Sequence, residues 1–124
     1  MKFYLCKKCK KMVEMIKGSP CPTMCCGEAM EELTPNTTDA AQEKHVPVVA
    51  VDGNTVCVTV GSVEHPMLEE HFITFIALET KQGVQRKALA PGGKPSAVFV
   101  LAQGDEPVAA YEYCNLHGLW KAEI

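Results

Sequence analysis

The stretch VPVVAVDGNTVCVTV, Val46 to Val60, sets two apolar runs on either side of Asp52-Gly53-Asn54. β-Branched residues dominate both runs, and their stiff side chains suit a pleated surface better than a helix. In the second run Val56, Val58 and Val60 recur every two residues, so they share one face of a strand. A Gly-Asn pair between such runs marks a tight turn, and the whole stretch reads as a β-hairpin. The same pattern continues in FITFIALE, VQRKAL, SAVFVLA and VAAYEYC, with turns signalled by Pro91-Gly92-Gly93 and Gly104-Asp105. No long helical period or internal repeat interrupts it. The expected fold is mainly β, an antiparallel sandwich of about seven strands with immunoglobulin-like architecture.

Upstream of the hairpin the character of the chain changes. TPNTTDAAQ, Thr34 to Gln42, is small, polar and proline-containing, which suits a linker. It divides the chain into expected domains at residues 1–36 and 37–124. The first is shorter than the ~40 residues at which a chain usually needs a metal, a disulfide or a partner to fold. Five of the seven cysteines lie within its first 26 residues.

Composition narrows the class further. Hydrophobic residues make up 47% and charged residues 22%, as in a globular chain rather than a disordered one. No apolar run approaches the ~18 residues of a membrane span. The basic start MKFYLCKKCKK lacks the apolar core and small-residue cleavage site of a secretory signal, so a cytoplasmic location is expected. In a reducing compartment an odd number of cysteines reads as metal ligands or buried thiols rather than disulfides. Residues 1–33 carry six lysines against four acids, and the remainder six basic against eleven acidic residues. Neither part is basic enough to suggest nucleic acid.

Cys6-x-x-Cys9 is a knuckle whose two thiolates can reach one metal, and the adjacent pair Cys25-Cys26 completes a set of four. Neighbouring side chains point opposite ways along a strand, so the backbone must twist for both Cys25 and Cys26 to face one ion. Four thiolates select zinc or iron without choosing between them. Cys21, between Pro20 and Pro22, is a fifth candidate and reads as a spare thiol; Cys57, opposite the valine face of its strand, reads as structural.

The four histidines, His45, His65, His71 and His117, all lie beyond that cluster. His45 is expected to begin a strand in EKHVPVV. His65 and His71 bracket the loop HPMLEEH; along a straight strand they would stand ~20 Å apart, so only a loop that doubles back, as Pro66 encourages, could bring the rings together. His117 follows Cys114 in the short turn CNLH. That turn alone is half of many zinc sites. Four imidazoles and one thiolate, however, exceed the four ligands of a structural zinc, and on an octahedral ion they would leave one position open.

At this point the chain resembles desulfoferrodoxin, the two-iron form of superoxide reductase. CKKC, CCGEAM, EKHVPVV, VGSVEHPM, EEHFITFI and YCNLHGLWKAE stand in that family's order and near its spacings over nearly the whole sequence. The resemblance implies two mononuclear iron ions. One would sit in a desulforedoxin-like domain on Cys6, Cys9, Cys25 and Cys26. The other would sit in the sandwich, with His45, His65, His71 and His117 around its equator and Cys114 on its axis. It also implies reduction of superoxide to hydrogen peroxide without dioxygen, a homodimer, and rubredoxin or a similar small protein as electron donor. Glu43 resembles the family's glutamate that closes the sixth position of the oxidised iron. Lys44, beside His45, is a candidate for attracting the substrate anion and ordering a proton-donating water. Cys21 stands outside the family's first-centre motif. The competing readings are an iron-binding electron carrier with two centres, which a pulse-radiolysis assay separates from the enzyme, and a zinc-stapled interaction domain, for which metal analysis is the cheapest discriminator.

Overall fold

The computed structural model describes residues 1–124 and divides into two compact units, Met1–Thr34 and Pro35–Ile124. In the first unit β1 (Phe3–Leu5) runs antiparallel between β2 (Met12–Glu14) and β5 (Glu31–Glu32), while β3 (Met24–Cys25) and β4 (Glu28–Ala29) form a separate hairpin. Its buried apolar residues are only Phe3, Cys6 and Met30. So small a core cannot offset the entropy of ordering the unit, which makes the cysteine cluster the expected staple.

The second unit opens with a single helical turn, α1 (Gln42–His45), followed by seven strands: β6 (Pro47–Asp52), β7 (Thr55–Val60), β8 (Ile73–Thr80), β9 (Val84–Ala88), β10 (Ser96–Val100), β11 (Pro107–Cys114) and β12 (Gly118–Glu123). They form two antiparallel sheets, ordered β10-β7-β6 and β12-β11-β8-β9. The Val46–Val60 hairpin forms around Gly53, whose φ of +60° is a conformation that glycine adopts without a Cβ clash. Val56, Val58 and Val60 are fully buried and pack with Phe99 of one sheet and Ile73, Ile76 and Leu78 of the other. Cys57 lies half-buried on the opposite face, paired with Ala50 and Val98.

One expectation is corrected. His45 does not begin a strand; it closes α1 and is buried, with β6 starting two residues later at Pro47. The Val46 N–H is taken up by the Gln42 carbonyl, which ends the turn, and Pro47 has no N–H with which to continue it.

Two further details shape the end of the sandwich that carries the histidines. The β11–β8 register shifts between Tyr113 and Cys114, so that Cys114 pairs with Ile73 and turns inward with the core. Glu112, two residues earlier, is also fully buried, with both carboxylate oxygens lacking a hydrogen-bond partner. Burial raises its carboxyl to about 9, so it is held neutral in the interior.

Candidate metal centres

In the first unit the chain leaves β1, turns through Cys6–Lys10 and returns as β2. The turn is closed by Lys10 N–H to Cys6 O at 2.9 Å and Cys6 N–H to Lys11 O at 2.9 Å. The twist expected at the adjacent cysteines is present: Cys26 has φ +53° and Gly27 φ +78° in the turn between β3 and β4. The four sulfurs of Cys6, Cys9, Cys25 and Cys26 lie within 4.8 Å of one another. Cys9 and Cys25 are 3.6 Å apart, and all seven cysteines are free thiols. The Cys9 N–H points at Cys6 Sγ, 3.5 Å away, and holds that thiol down to about 6. Crowding by Cys9 and the other two sulfurs instead pushes Cys26 up to about 12. Four thiolates this close cannot coexist without a cation, and a tetrahedral sulfur set suits zinc or iron. Cys21 lies outside the cluster, exposed, with its N–H on Ser19 Oγ.

In the second unit four imidazoles close a ring. Consecutive ring centroids stand 4.8 Å apart for His45–His65, 4.6 Å for His65–His71, 5.1 Å for His71–His117 and 4.9 Å for His117–His45, each pair steeply inclined. The β7–β8 loop does double back, through paired backbone hydrogen bonds between Leu68 and His71. The Asn115 side chain braces it, accepting from Phe72 N–H and donating to the Glu70 carbonyl. His45 stacks on Trp120 at 5.0 Å, and the Trp120 indole N–H donates to the His117 carbonyl. Cys114 Sγ lies 3.5 Å from His65 Nε2 and 3.9 Å from His117 Nδ1.

Protonation makes the case for a cation. His45 Nδ1 lies 2.7 Å from the Ala41 carbonyl and His65 Nδ1 2.7 Å from the Pro66 carbonyl, so each must carry its proton there. Both Nε2 atoms are then bare acceptors, yet they face each other at 3.2 Å. No hydrogen bond can form between two lone pairs, and a shared metal ion resolves the conflict. His71 Nε2 is likewise buried without a partner. His117 alone presents Nδ1, 3.2 Å from His45 Nε2. The ligand atoms of His45, His65, His71 and Cys114 lie within 4.8 Å of one another, and His117 Nδ1 joins them from the CNLH turn.

Without a metal, burial favours neutral imidazoles beside a protonated thiol, and a cation is what would draw the proton from Cys114. Burial lowers His45 and His71 and takes His65 down to about 4. Burial raises Cys114, and the backbone N–H groups of Leu116 and His117 act in the opposite direction. Lys44 contributes to the lowering at both His45 and His71, which places its charge within reach of the ring. Glu43 and Lys44 are both exposed on α1. The Glu43 carbonyl is pinned by Val63 N–H at 2.9 Å and Ser62 Oγ at 3.3 Å.

These shifts predict an acid limit for the metal-free chain. A histidine whose folded pKa is depressed contributes stability above its unfolded value near 6.5 that is lost as pH falls through the folded value. For His65 the full loss is about 3 kcal/mol, and His45 and His71 add to it in the same direction. Urea midpoints of the metal-free chain are therefore expected to drop between pH 7 and pH 5, and to drop less in His65→Gln. Equal midpoints at the two pH values would contradict the buried neutral imidazoles.

Comparison with known proteins agrees with this arrangement. The family profile described as Desulfoferrodoxin matches residues 37–123. Desulfoferrodoxin of Syntrophotalea carbinolica is 46% identical over 123 residues, covering 99% of this chain and 96% of the relative. The crystal structure of the superoxide reductase from Treponema pallidum superimposes with a TM-score of 0.81 at 41% identity, covering 92% of this chain and 93% of that one. The one-iron superoxide reductase from Giardia intestinalis is 36% identical with a TM-score of 0.57, and covers 66% of this chain and 97% of its own.

Proposed function

The chain belongs to the desulfoferrodoxin family, and on that premise we propose that it is a superoxide reductase. Each turnover adds one electron and two protons to superoxide and yields hydrogen peroxide without dioxygen. The observation that carries this reading is the closed ring of four imidazoles around one point, with a buried cysteine sulfur beside it. His45, His65, His71, His117 and Cys114 would hold iron there, which would supply the electron and a place for the substrate to bind. Cys6, Cys9, Cys25 and Cys26 would hold a second iron; with four thiolate ligands it would serve electron transfer or structure rather than bind substrate.

The chain's own groups do the rest. The carbonyls of Ala41 and Pro66 fix the tautomers of His45 and His65, so that their Nε2 lone pairs stay aimed inward. The Cys114 sulfur, fully buried and approached by two backbone N–H groups, donates charge from a dry site. Lys44 draws the substrate anion toward the ring and orders the water that delivers protons. Glu43, exposed on the same helical turn, would be the carboxylate able to ligate the iron in the absence of substrate, as the family resemblance implies. Rubredoxin or a similar small carrier is the donor and the cytoplasm the compartment; cysteines used as metal ligands rather than disulfides accord with a reducing environment. The active form is a homodimer, a reading supported by the exposed valines Val48, Val98 and Val100 on the outer face of the β10-β7-β6 sheet.

Lys44→Ala is expected to slow superoxide association about tenfold at low salt and to flatten its dependence on ionic strength. An unchanged rate at low salt would remove Lys44 from the approach path. Product stoichiometry tests the reaction itself. With excess reductant, one peroxide should form per superoxide consumed; one peroxide per two, with dioxygen, would mean dismutation instead.

A further inference from the structure

The four imidazoles of the ring are not fixed in the same way. His45 and His65 each donate a ring N–H to a main-chain carbonyl, which sets both the tautomer and the plane of the ring. The loop that carries His71 is braced by the Asn115 side chain. His117 has neither device. Its Nδ1 faces Cys114 Sγ and His45 Nε2, and its Nε2 makes no hydrogen bond within the chain. The next residue, Gly118, has φ +82° and gives the turn little stiffness of its own.

Trp120 supplies what His117 lacks. It sits in β12 opposite Glu112 of β11, so the sheet fixes its main chain, and its side chain is only 1% exposed. The indole N–H donates to the His117 carbonyl at 3.0 Å. The same indole lies against His45, with centroids 5.0 Å apart and planes inclined by 24°. One rigid side chain therefore touches two neighbouring members of the ring, whose own planes stand at 86° with His45 Nε2 3.2 Å from His117 Nδ1. A cation held by His45 draws electron density out of its imidazole, and the electron-rich indole face favours that electron-poor ring over the metal-free one.

We infer that Trp120 is a positioning residue of the histidine ring: its N–H sets where His117 presents Nδ1, its face holds the plane of His45, and the ring retains iron through both contacts. The inference rests on the reading of the ring as an iron site. Trp120 itself touches neither substrate nor metal. Loss of an outer partner of this kind costs about 10–100-fold in metal affinity. The N–H contact and the face contact can be removed one at a time, because Trp120 is the only tryptophan of the chain. An analogue supplied in place of tryptophan during expression therefore alters this position alone.

Benzothienylalanine keeps the shape and aromatic face of tryptophan and carries sulfur in place of the N–H. The test compares two-iron protein containing this analogue, and a Trp120→Leu variant that loses the face as well, with the parent. Release of ferrous iron from each centre to excess chelator is followed near neutral pH, and the ferric EPR signal of the histidine-ligated ion is recorded in parallel. The analogue is expected to release that iron about tenfold faster and Trp120→Leu about a hundredfold faster. In both, the EPR signal changes symmetry while release from the four-cysteine centre stays parental. Analogue protein with parental release and a parental signal would overturn the inference, and so would a lower thermal midpoint without faster release. Trp120→Leu that releases iron no faster than the analogue would remove the contribution of the His45 stack. If that variant does not fold, the analogue, which preserves the side-chain volume, decides alone. A parent chain that retains iron only on its four cysteines would instead refute the iron-site reading, and the inference with it.

Discussion

Cys114→Ser is expected to abolish rapid superoxide reduction, with a loss of at least about a hundredfold. Serine is nearly isosteric, so the fully buried position of Cys114 between β11 and the CNLH turn is kept. What is lost is the anionic, polarisable donor. A serine hydroxyl stays protonated near neutral pH, and an ion ringed by four imidazoles then carries one more positive charge and a poorer electron donor. The thiolate-to-iron absorption of this site should vanish while that of the four-cysteine centre persists, since Cys6, Cys9, Cys25 and Cys26 are untouched. Turnover equal to the parent would sink the assignment of Cys114 as the ligand that drives the reaction.

Gly61→Ala should damage the reaction nearly as much without touching any proposed ligand. Gly61 is buried at the end of β7, and a Cβ built on it collides with the Glu43 carbonyl and falls 2.8 Å from the Lys44 carbonyl carbon. These are backbone atoms, so no side chain can swing away to make room. The helical turn that carries Glu43, Lys44 and His45 must move instead. A displacement near 1 Å in a positioned site costs on the order of a hundredfold in rate, and overpacking a buried position costs about 1–3 kcal/mol in stability. Superoxide kinetics and thermal unfolding of the iron-loaded variant check both; parental kinetics would mean that α1 does not depend on its contact with Gly61.

The sandwich was legible because its strands obey the period of two. Val56, Val58 and Val60 announce an inward face, and the later runs repeat the pattern between turn residues. The cysteine knuckle was legible from spacing, and the need for a twist at Cys25-Cys26 from strand geometry alone. Other features leave no local mark. α1 is one turn of four residues, too short to show a helical period, so His45 read as the start of a strand. The close approach of Gly61 to Glu43 joins segments 18 residues apart, and a lone glycine does not say which backbone it admits. Glu112 sits in an alternating strand, where a carboxylate reads as solvent-facing. Only the pairing of β11 between β8 and β12 shows it buried. That His45 and His65 present Nε2 follows from where the carbonyls of Ala41 and Pro66 fall, and that His117 presents Nδ1 from its place in the CNLH turn; those positions belong to the folded loops.

The most direct test of the central claim is pulse radiolysis of the anaerobically reduced, iron-loaded protein. Superoxide should disappear in proportion to protein concentration, at a second-order rate approaching the diffusional range of about 10⁸–10⁹ M⁻¹s⁻¹ for a steered anion. For each superoxide consumed, one histidine-ligated iron should be oxidised. Superoxide that decays at its spontaneous rate while that iron stays ferrous would contradict the account.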